Sequence, residues 1–549
     1  MTGKKPSSHS FFSGVLVLTL ANLVTKVIGL VFKIPLTNML GDEGMGYFNT
    51  AYQIYTWLYM ISTAGLPVAL SLMISECNAK KRFSEVRKIF RMTLLFFGAI
   101  GLLGTLLMLF ACKGIASFIS ADLSYLCILS IAPALFFVCV SSTVRGYFQG
   151  HRNMIPTAVS EVIEAAGKLS IGIALGYYAL KQGYPMHKVA AYAIFGVTAG
   201  VIAGTVFLGI SALFSGVFRK NAEPSDTVDT DIRGAKELFS SLIRIALPIM
   251  LSSSLLSMSS MLDTLIVIRR LSETGLTDSA AIALYGNYTA YCVTLFNLPP
   301  VLIYPIVNTL IPSISEARAK NNEKRVDLLM HKSLKLAAVI ALPCALGLAV
   351  MSEPILKLIF SNEKSAEMAA PLLSLLAPSV FLIGIMAVTN GALQACKLQK
   401  YSVYSMLIGA LVKGVSAYLL VGVPVGDGYL HMYASPISTF LFYFTITVSN
   451  VFFIVKYAGL PFPTASVFLR PFAASVLCAL AAFASNELLG RIVTSSNLVT
   501  LISIALAGGV YVLFLLLFGG ITKSDVSLIP KAEKMIEKLP IIRRILKEI

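Results

Sequence analysis

Long apolar segments separated by short polar stretches recur along the whole chain. A helix needs roughly 20 predominantly apolar residues to cross the ~30 Å hydrocarbon core of a bilayer. The pattern therefore predicts an all-α polytopic membrane protein with fourteen transmembrane helices. These segments, numbered 1 to 14 below, lie at about 11–35, 47–74, 92–112, 123–143, 157–180, 188–214, 239–268, 280–311, 334–351, 369–393, 402–421, 432–455, 466–485 and 499–519.

The apolar pattern also contains an internal repeat. At an offset of 245 positions, identical residues align, including Pro133 with Pro378, Gly146 with Gly391, Gln149 with Gln394, and Lys168 with Lys413. Further upstream the offset is 240, where Ile74-Ser75-Glu76 reappears as Ile314-Ser315-Glu316. Segments 1–6 and 7–12 thus form two six-helix lobes. Because six is even, we expect the lobes to share one orientation, as in transporters whose repeats are related by an axis along the membrane normal.

The repeat predicts the domain boundaries. The N-terminal lobe covers 1–216 and the C-terminal lobe 239–457, joined by a polar cytoplasmic linker at 217–238. Segments 13 and 14, within 458–522, lie outside the repeat. The tail 523–549 places apolar residues at helical spacing among lysines and arginines, which is typical of a basic amphipathic helix on the inner leaflet; a solvated tail is the alternative.

Composition and charge agree with a membrane protein. Hydrophobic residues make up 56% of the chain and charged residues 13%, against about 25% in soluble domains. Most lysines and arginines fall in loops on one side, which places both termini in the cytoplasm. The net charge of +17 then reflects topology and attraction to anionic lipids, and we expect no nucleic-acid partner. The eight cysteines form no C-x-x-C pair, so neither a disulfide framework nor a metal site is predicted, and nothing in the sequence indicates a cofactor.

Charged residues inside apolar segments are the main candidates for function. An ionised side chain at bilayer depth costs at least ~2.5–3.5 kcal/mol, so it normally faces a wet or protein-lined interior. Lys168 and Lys413 lie near the middle of segments 5 and 11. Glu161, Glu164 and Lys168 share one helical face, which fits either a structural Glu164–Lys168 pair or an anion site with carboxylates for coupling. Lys413 has no acidic residue within one helical turn, which favours a substrate contact.

Other charged residues in or beside the apolar segments are also candidates. Lys26 and Lys33 share a face of segment 1; Lys33, near the outer end, either binds substrate or extends to the headgroups. Arg145 is expected where a cavity meets the cytoplasm. Asp263 either serves ion coupling or pairs with Arg269 or Arg270.

Amides and aromatic rings are dense in segments 2 and 8. Asn49, Tyr52, Gln53 and Asn287 suit hydrogen bonding and stacking to sugars, and Gln394 joins this set as the repeat counterpart of Gln149; helix packing and aromatic belts are the alternative explanation. Prolines interrupt both segments, and we expect them to bend there.

The motifs resemble a known superfamily. They are Leu40-Gly41-Asp42-Glu43-Gly44-Met45-Gly46, Ala51-Tyr52-Gln53-Ile54-Tyr55, and Ser62-Thr63-Ala64-Gly65-Leu66-Pro67-Val68-Ala69. They look like the polysaccharide-exporter branch of the multidrug/oligosaccharidyl-lipid/polysaccharide (MOP) exporter superfamily, of the stage V sporulation protein B type, which is similar to MurJ-type lipid II flippases. Fourteen helices in two lobes plus an extra pair fit this resemblance.

The resemblance implies transport of an undecaprenyl-pyrophosphate-linked saccharide, a cell-wall or polysaccharide precursor, to the outer leaflet by alternating access. A basic residue of helix 1 faces the cavity in such flippases, and Lys26 matches it. Arginines expected in helices 2 and 8 are replaced by Leu58-Tyr59 and about Thr294, so the positive charge would come from Lys26, Lys168 and Lys413. This departure leaves the glycan open.

Three alternatives stay open from the sequence. A drug/cation antiporter of the same superfamily would use acidic groups in the membrane, and a scaffold of an envelope-synthesis complex would transport nothing. A membrane glycosyltransferase with Asp42 and Glu43 as catalytic carboxylates is disfavoured, because the loop is short and reads as a turn; we expect no enzyme. We expect a multi-pass monomer of the bacterial cell membrane, with lipids and cell-wall synthesis proteins as partners and Na⁺ or H⁺ as a candidate coupling ion at Glu161, Glu164 or Asp263.

Overall fold

The computed structural model describes residues 8–80, 82–215, 234–425, 428–461 and 466–520. These residues are almost entirely helical and divide into two compact units, Met1–Gly286 and Asn287–Ile549. Most of the predicted linker and all of the predicted basic tail lie outside the described residues. The first unit contains segment 7, which the repeat assigns to the second lobe, so the packing units and the predicted lobes are different divisions of the chain.

The first unit is built from nine helices in its described part. They are α1 (Ser8–Thr63), α2 (Leu66–Ala79), α3 (Phe83–Phe118), α4 (Tyr125–Gly150), α5 (Ile155–Lys181), α6 (Met186–Phe214), α7 (Ala235–Leu262), α8 (Ile268–Glu273) and α9 (Asp278–Asn287), whose last residue falls in the second unit. A 3₁₀ turn, Asp122–Ser124, precedes α4, and a π-helical segment, Asp263–Val267, joins α7 to α8.

The second unit continues with ten helices in its described part. They are α10 (Val293–Phe296), α11 (Pro299–Ala319), α12 (Glu323–Val350), α13 (Ser352–Ile359), α14 (Glu363–Leu376), α15 (Ser379–Ala395), α16 (Gln399–Val421), α17 (Ala434–Phe453), α18 (Ser466–Gly490) and α19 (Ser496–Leu517). π-Helical segments occur at Tyr288–Cys292 and Ile454–Ala458, and a 3₁₀ turn at His431–Tyr433. A two-residue-per-strand hairpin pairs β1 (Pro424–Val425) with β2 (Gly428–Tyr429) between α16 and α17.

Predicted segments 1 and 2 form one long helix with a break at Gly41. Gly41 has φ 61° and ψ −171°, in the region that glycine adopts without steric cost. We call residues 8–40 and 42–63 the first and second arms of α1. The break lies in the Gly41-Asp42-Glu43-Gly44 sequence that was expected to form a turn, and Pro67 begins the separate helix α2, as expected for an interruption in segment 2.

The number of membrane spans is ten to twelve by length and hydropathy. Ten described helices or helix runs are long and apolar enough, and two further pairs qualify if each bent pair is one span. The bends are 46° before Pro299 and 44° before Ser379, so segment 8 bends at its prolines. The count of fourteen stays a prediction: it needs the arms of α1 to count separately, and it needs α5, which carries Glu161, Glu164 and Lys168.

The internal repeat appears in equivalent hydrogen bonds. Ser75 Oγ donates to the Gly150 carbonyl at 3.0 Å, and Ser315 Oγ donates to the Ala395 carbonyl at 3.4 Å. These residues are related by the offsets of 240 and 245 found in the sequence. Equivalent serine side chains therefore link equivalent helices, α2 to α4 in the first unit and α11 to α15 in the second.

A second pair of hydrogen bonds extends the repeat to α6 and α17. Thr205 Oγ1 donates to the Phe137 carbonyl at 3.2 Å, and Thr447 Oγ1 donates to the Leu382 carbonyl at 3.4 Å. Phe137 and Leu382 are 245 positions apart, whereas the two threonines are 242 apart. The offset between α6 and α17 is therefore 242, which pairs Val197 with Thr439.

Candidate functional site

The close packing of α5 on α6 fixes the charged face of α5. A Cβ on Gly196 would overlap the backbone of Gly172, and one on Gly200 would overlap the carbonyl of Glu164. Small residues that let two backbones approach are a usual basis of helix packing in membranes. With α6 packed closely against α5, the side chains of Glu161, Glu164 and Lys168 lie in the space that these two helices share with α1 and α4.

A cavity of about 350 Å³ opens against this face. It lies within the first unit, between both arms of α1 and helices α4, α5 and α6. Its lining is Asn22, Thr25, Gly29, Phe32, Tyr52, Tyr55, Thr56, Tyr59, Met60, Arg145, Glu161, Glu164, Ala165, Lys168 and Val197. This cavity, called the chamber below, thus combines hydroxyl groups and aromatic rings with two cations and two carboxylates.

Lys168 is held by aromatic groups. Its Nζ donates to the Tyr52 hydroxyl at 3.2 Å and lies 4.5 Å from the centre of the Tyr52 ring and 4.9 Å from that of Phe32. An ammonium over an aromatic face gains roughly 0.5–2 kcal/mol, depending on desolvation. This arrangement orients the amine without neutralising its charge, so Lys168 can still attract an anion.

Arg145 and Glu164 form an ion pair at the side of the cavity. The Arg145 guanidinium donates from Nη2 to Glu164 Oε2 at 2.9 Å and from Nε to Ser160 Oγ at 3.0 Å. The arginine side chain is only 8% exposed and the glutamate side chain 25%. Glu164 therefore pairs with Arg145 and not with Lys168, because α4 brings a planar cation to the carboxylate that sequence spacing had assigned to its own helix.

Glu161 differs from Glu164. It lines the same cavity, but its buried Oε2 atom has no hydrogen-bond partner among the described residues. A buried carboxylate oxygen without a donor is costly when ionised, whereas the neutral acid removes most of that cost. Glu161 is therefore the lining group best placed to exchange a proton or to meet a cation.

The other predicted residues of the first unit lie around the cavity or away from it. Lys33 Nζ donates to Asn49 Oδ1 at 2.8 Å, and this pair joins the two arms of α1 next to the lining. Lys26 is exposed, and the lining face of the first arm is formed by Asn22, Thr25, Gly29 and Phe32.

Spacing explains the different position of Lys26. The lining residues of the first arm recur every three or four positions, and Lys26 lies one residue, or about 100°, beyond Thr25. Gln53 is half-buried beside Tyr52. Asn22, Thr25 and Gly29 mark the lining face of the first arm in the sequence. The interpretation based on the charge of Lys26 missed this pattern and chose the neighbouring face.

Asp263 is buried in the π-helical segment after α7. Arg269 and Arg270 both bind Glu273, at 3.2 and 2.8 Å, a partner that the sequence interpretation did not consider. Asp263 lies outside the lining of this cavity, and its predicted role in ion coupling stays a prediction.

The predicted residues of the second unit lie in different surroundings. Lys413 is 1% exposed, and its Nζ donates to Thr439 Oγ1 at 2.8 Å. Asn287 is buried and donates to the Ser365 carbonyl at 2.9 Å, while Gln394 is exposed near the end of α15. The structure describes Lys413 and Asn287 as enclosed, hydrogen-bonded groups of this unit.

Comparison with known proteins identifies the wider family. The sequence matches the profile described as "Polysaccharide biosynthesis protein" over residues 11–318 and the MatE profile over residues 248–419. In Bacillus subtilis (strain 168), Stage V sporulation protein B is 27% identical over 74% of this chain and 77% of its own length. Lipid II flippase MurJ of the same organism is 25% identical over 82% of this chain and 84% of its own length.

Solved structures share the fold. The inward closed conformation of the lipid II flippase MurJ aligns with a TM-score of 0.69 at 15% identity, covering 92% of this chain and 98% of that one. An inward-facing multidrug resistance MATE family transporter of the MOP superfamily aligns with a TM-score of 0.64 at 14% identity, covering 84% and 98%. The resemblance to the MOP superfamily and the all-α polytopic membrane fold predicted from the sequence are both confirmed.

Proposed function

Because the chain belongs to the polysaccharide biosynthesis protein family, we propose that it moves an undecaprenyl-pyrophosphate-linked saccharide from the inner to the outer leaflet of the bacterial cell membrane. The observation that carries this proposal is the chamber inside the first unit, where Lys168 and Arg145 lie among tyrosines within membrane helices. The relatives named a lipid II flippase and a sporulation protein support a cell-wall or polysaccharide precursor as cargo.

The physical requirement of such a cargo matches the chamber. A diphosphate headgroup cannot enter hydrocarbon without losing its hydration, so a flippase must provide polar groups and compensating cations along its path. Lysine offers a compact charge that attracts a phosphate and releases it readily, while arginine binds in a bidentate fork. Tyrosine rings and hydroxyls add stacking and hydrogen bonds to sugar, while the ~55-carbon tail stays in lipid.

Each predicted residue takes a proposed role. Lys168 contacts the diphosphate directly, and Tyr52 orients the amine. Arg145 is a second cation that a diphosphate reaches only by competing with Glu164. The remaining substrate candidates, whose roles rest on the sequence and the family resemblance, are Lys26, Lys33, Asn49, Gln53, Asn287, Gln394 and Lys413.

The proposal extends to topology and partners. Both termini are placed in the cytoplasm by the distribution of lysines and arginines, and the protein acts as a monomer that meets cell-wall synthesis proteins at the membrane. Sodium or protons at Glu161, Glu164 or Asp263 are the proposed coupling ions. The chemistry is translocation without bond making or breaking.

The test is translocation in proteoliposomes. Unmodified protein should move a fluorescent undecaprenyl-pyrophosphate glycolipid between leaflets, scored by its loss from dithionite reduction. Lys168→Ala should lower the initial rate at least tenfold, since a charge-assisted contact contributes about 1.5–3 kcal/mol. Lys181→Ala, an exposed lysine at the end of the same helix, is the matched control and should transport normally. Equal rates for both variants would remove Lys168 from the site.

A drug/cation antiporter is the second candidate, and one observation favours it. Glu161 and Glu164 line the chamber, and carboxylates in a membrane cavity suit a cationic substrate. The MatE profile over residues 248–419 agrees with that class. Efflux of a cationic dye with no translocation of the glycolipid, lost in a Glu161→Gln variant, would establish this alternative.

A further inference from the structure

The charge inside the chamber sets a condition on anion binding. Arg145 and Lys168 are its cationic lining residues, and Glu161 and Glu164 its carboxylates. With all four ionised, their formal charges cancel. Lys33, half-buried next to the lining, adds a further cation that interacts with Lys168. A diphosphate carries more than one negative charge, so the carboxylates of the lining oppose its entry into a region of low dielectric, and one fewer negative charge there would favour the anion.

The two carboxylates are not equally able to lose their charge. Glu164 receives a 2.9 Å hydrogen bond from Arg145, which is itself fixed by Ser160. Protonating Glu164 would break that ion pair and leave a guanidinium that is only 8% exposed without its carboxylate partner. Protonating Glu161 breaks no described contact, because its Oε2 atom is buried and accepts no hydrogen bond from the described residues.

We propose that Glu161 is the proton-binding group of the chamber and that its protonation is linked to binding of a diphosphate anion at Lys168 and Arg145. This inference rests on the proposed function, since it assumes an anionic cargo. With Glu161 neutral, the four charged lining residues carry one net positive charge and the chamber is receptive. With Glu161 ionised, their charges cancel and the chamber binds the anion more weakly.

The groups that face Glu161 agree with this role. From α4 comes Arg145, already bound to Glu164; from α1 come the neutral hydroxyls of Tyr55 and Tyr59; and from α6 comes the apolar Val197. On α5 itself, Lys168 lies two turns away, with its amine turned to Tyr52. No lining cation donates a described hydrogen bond to Glu161; Arg145, whose charge attracts the Glu161 carboxylate, donates to Glu164 and Ser160 instead.

Ionisation of Glu161 should make anion affinity fall as the pH rises. The receptive form contains the proton, so affinity is constant at low pH and falls as pH rises through the ionisation of Glu161 in the empty protein. The apparent dissociation constant should rise about tenfold per pH unit there. The diphosphate also titrates, but that contribution is the same for every protein variant and is removed by comparing them.

The experiment measures binding of farnesyl diphosphate, a short polyprenyl diphosphate, to the purified full chain in detergent by isothermal titration calorimetry from pH 5.5 to 8.5. In Glu161→Gln, the dissociation constant at pH 8.5 should be at least tenfold lower than in the unmodified protein, and the difference should narrow as the pH falls to 5.5. Glu76→Gln, which removes an exposed carboxylate outside the chamber, is the matched control and should follow the unmodified protein.

Each outcome has one meaning. The same pH profile in Glu161→Gln and in the unmodified protein would overturn the assignment of Glu161 while leaving an anion site. Absence of binding at every pH would overturn the proposed function itself. If Glu161→Gln unfolds, Glu161→Met serves instead, because the inference predicts that any uncharged residue at this position removes the Glu161 contribution to the pH profile and leaves that of the diphosphate.

Discussion

The two halves of the molecule place the same lysine in opposite environments. Lys168 and Lys413 are repeat equivalents that both lie over aromatic rings, yet Lys168 lines an open chamber, whereas Lys413 is 1% exposed and donates to Thr439. The residue equivalent to Thr439 in the first half is Val197, which has no hydroxyl to bind an amine. At this position the two halves differ by one hydroxyl, and Lys168 donates instead to the hydroxyl of Tyr52.

The polar groups around the two lysines differ in the same direction. Arg145, Glu161 and Glu164 of the first half correspond at the offset of 245 to Asn390, Met406 and Gly409. In the second half, Asn390 accepts hydrogen bonds from Ser402 and Asn450, each at 2.7 Å. The duplicated framework thus carries an ionisable site in one copy and a neutral hydrogen-bond network in the other.

The largest difference is expected from removing each lysine in turn. Lys168→Ala should reduce translocation at least tenfold with little change in thermal stability, because its amine holds a contact at the chamber surface. Lys413→Ala should lower the melting temperature by several degrees, because a buried hydrogen bond and buried volume are lost together. Initial rates and thermal unfolding of both variants decide this, and a reversed pattern would contradict the comparison.

Breaking the Arg145–Glu164 ion pair of the first half should have a smaller effect. Glu164→Gln leaves Arg145 without its carboxylate, and we expect a loss of about 1–3 kcal/mol, below the value for a fully buried pair since Glu164 is partly exposed. The double variant Arg145→Asn/Glu164→Gly copies the second half and should recover part of this stability. Denaturant unfolding of the unmodified protein, Arg145→Asn, Glu164→Gly and the double variant measures the coupling; strictly additive losses would show that the pair is unimportant.

Exchanging the residues beside the lysines tests the comparison more finely. Val197→Thr offers Lys168 a hydroxyl and should draw its amine away from Tyr52, lowering translocation several-fold through a hydrogen bond of about 1 kcal/mol. Thr439→Val removes the acceptor from Lys413 and should lower stability by a similar amount. Unchanged translocation in Val197→Thr would mean that this hydroxyl does not control the availability of Lys168.

The smallest effect is expected at Tyr52. Tyr52→Phe removes the hydroxyl that accepts from Lys168 but keeps the ring 4.5 Å from its amine, so translocation should fall only two- to five-fold. Tyr52→Leu, which also removes the ring, should fall further. Equal rates in the two variants would argue against the cation–π contact.

Much of this architecture could be predicted from the sequence because membrane helices are defined locally. Apolar length gave the positions of most helices, and the repeat offset paired Lys168 with Lys413. The proline-rich bend before α11 and the break at Gly41 also follow from local backbone chemistry. Each of these features depends on residues that are neighbours in the chain.

The parts that could not be predicted depend on contacts between helices. Helical spacing placed Lys168 four residues from Glu164, but only tertiary packing brings Arg145 of α4 to that carboxylate. Likewise, Thr25 and not Lys26 lies on the lining face of the first arm. Periodicity alone could not decide between these neighbours, which differ by about 100° of rotation around the helix axis. The contact of Lys413 with Thr439, and the change of offset from 245 to 242 that makes Val197 the equivalent of Thr439, came only from the structure.

Photo-crosslinking tests the central claim, that the chamber of the first half binds the anionic headgroup, most directly. A polyprenyl diphosphate with a diazirine next to the diphosphate would be crosslinked to the full chain in membranes and the modified peptides mapped by mass spectrometry. We predict labelling of α5 near Lys168 and of the α1 face that contains Thr25 and Phe32, competed by unlabelled lipid and lost in Lys168→Ala. Competed labelling confined to other helices, unaffected by that substitution, would contradict it.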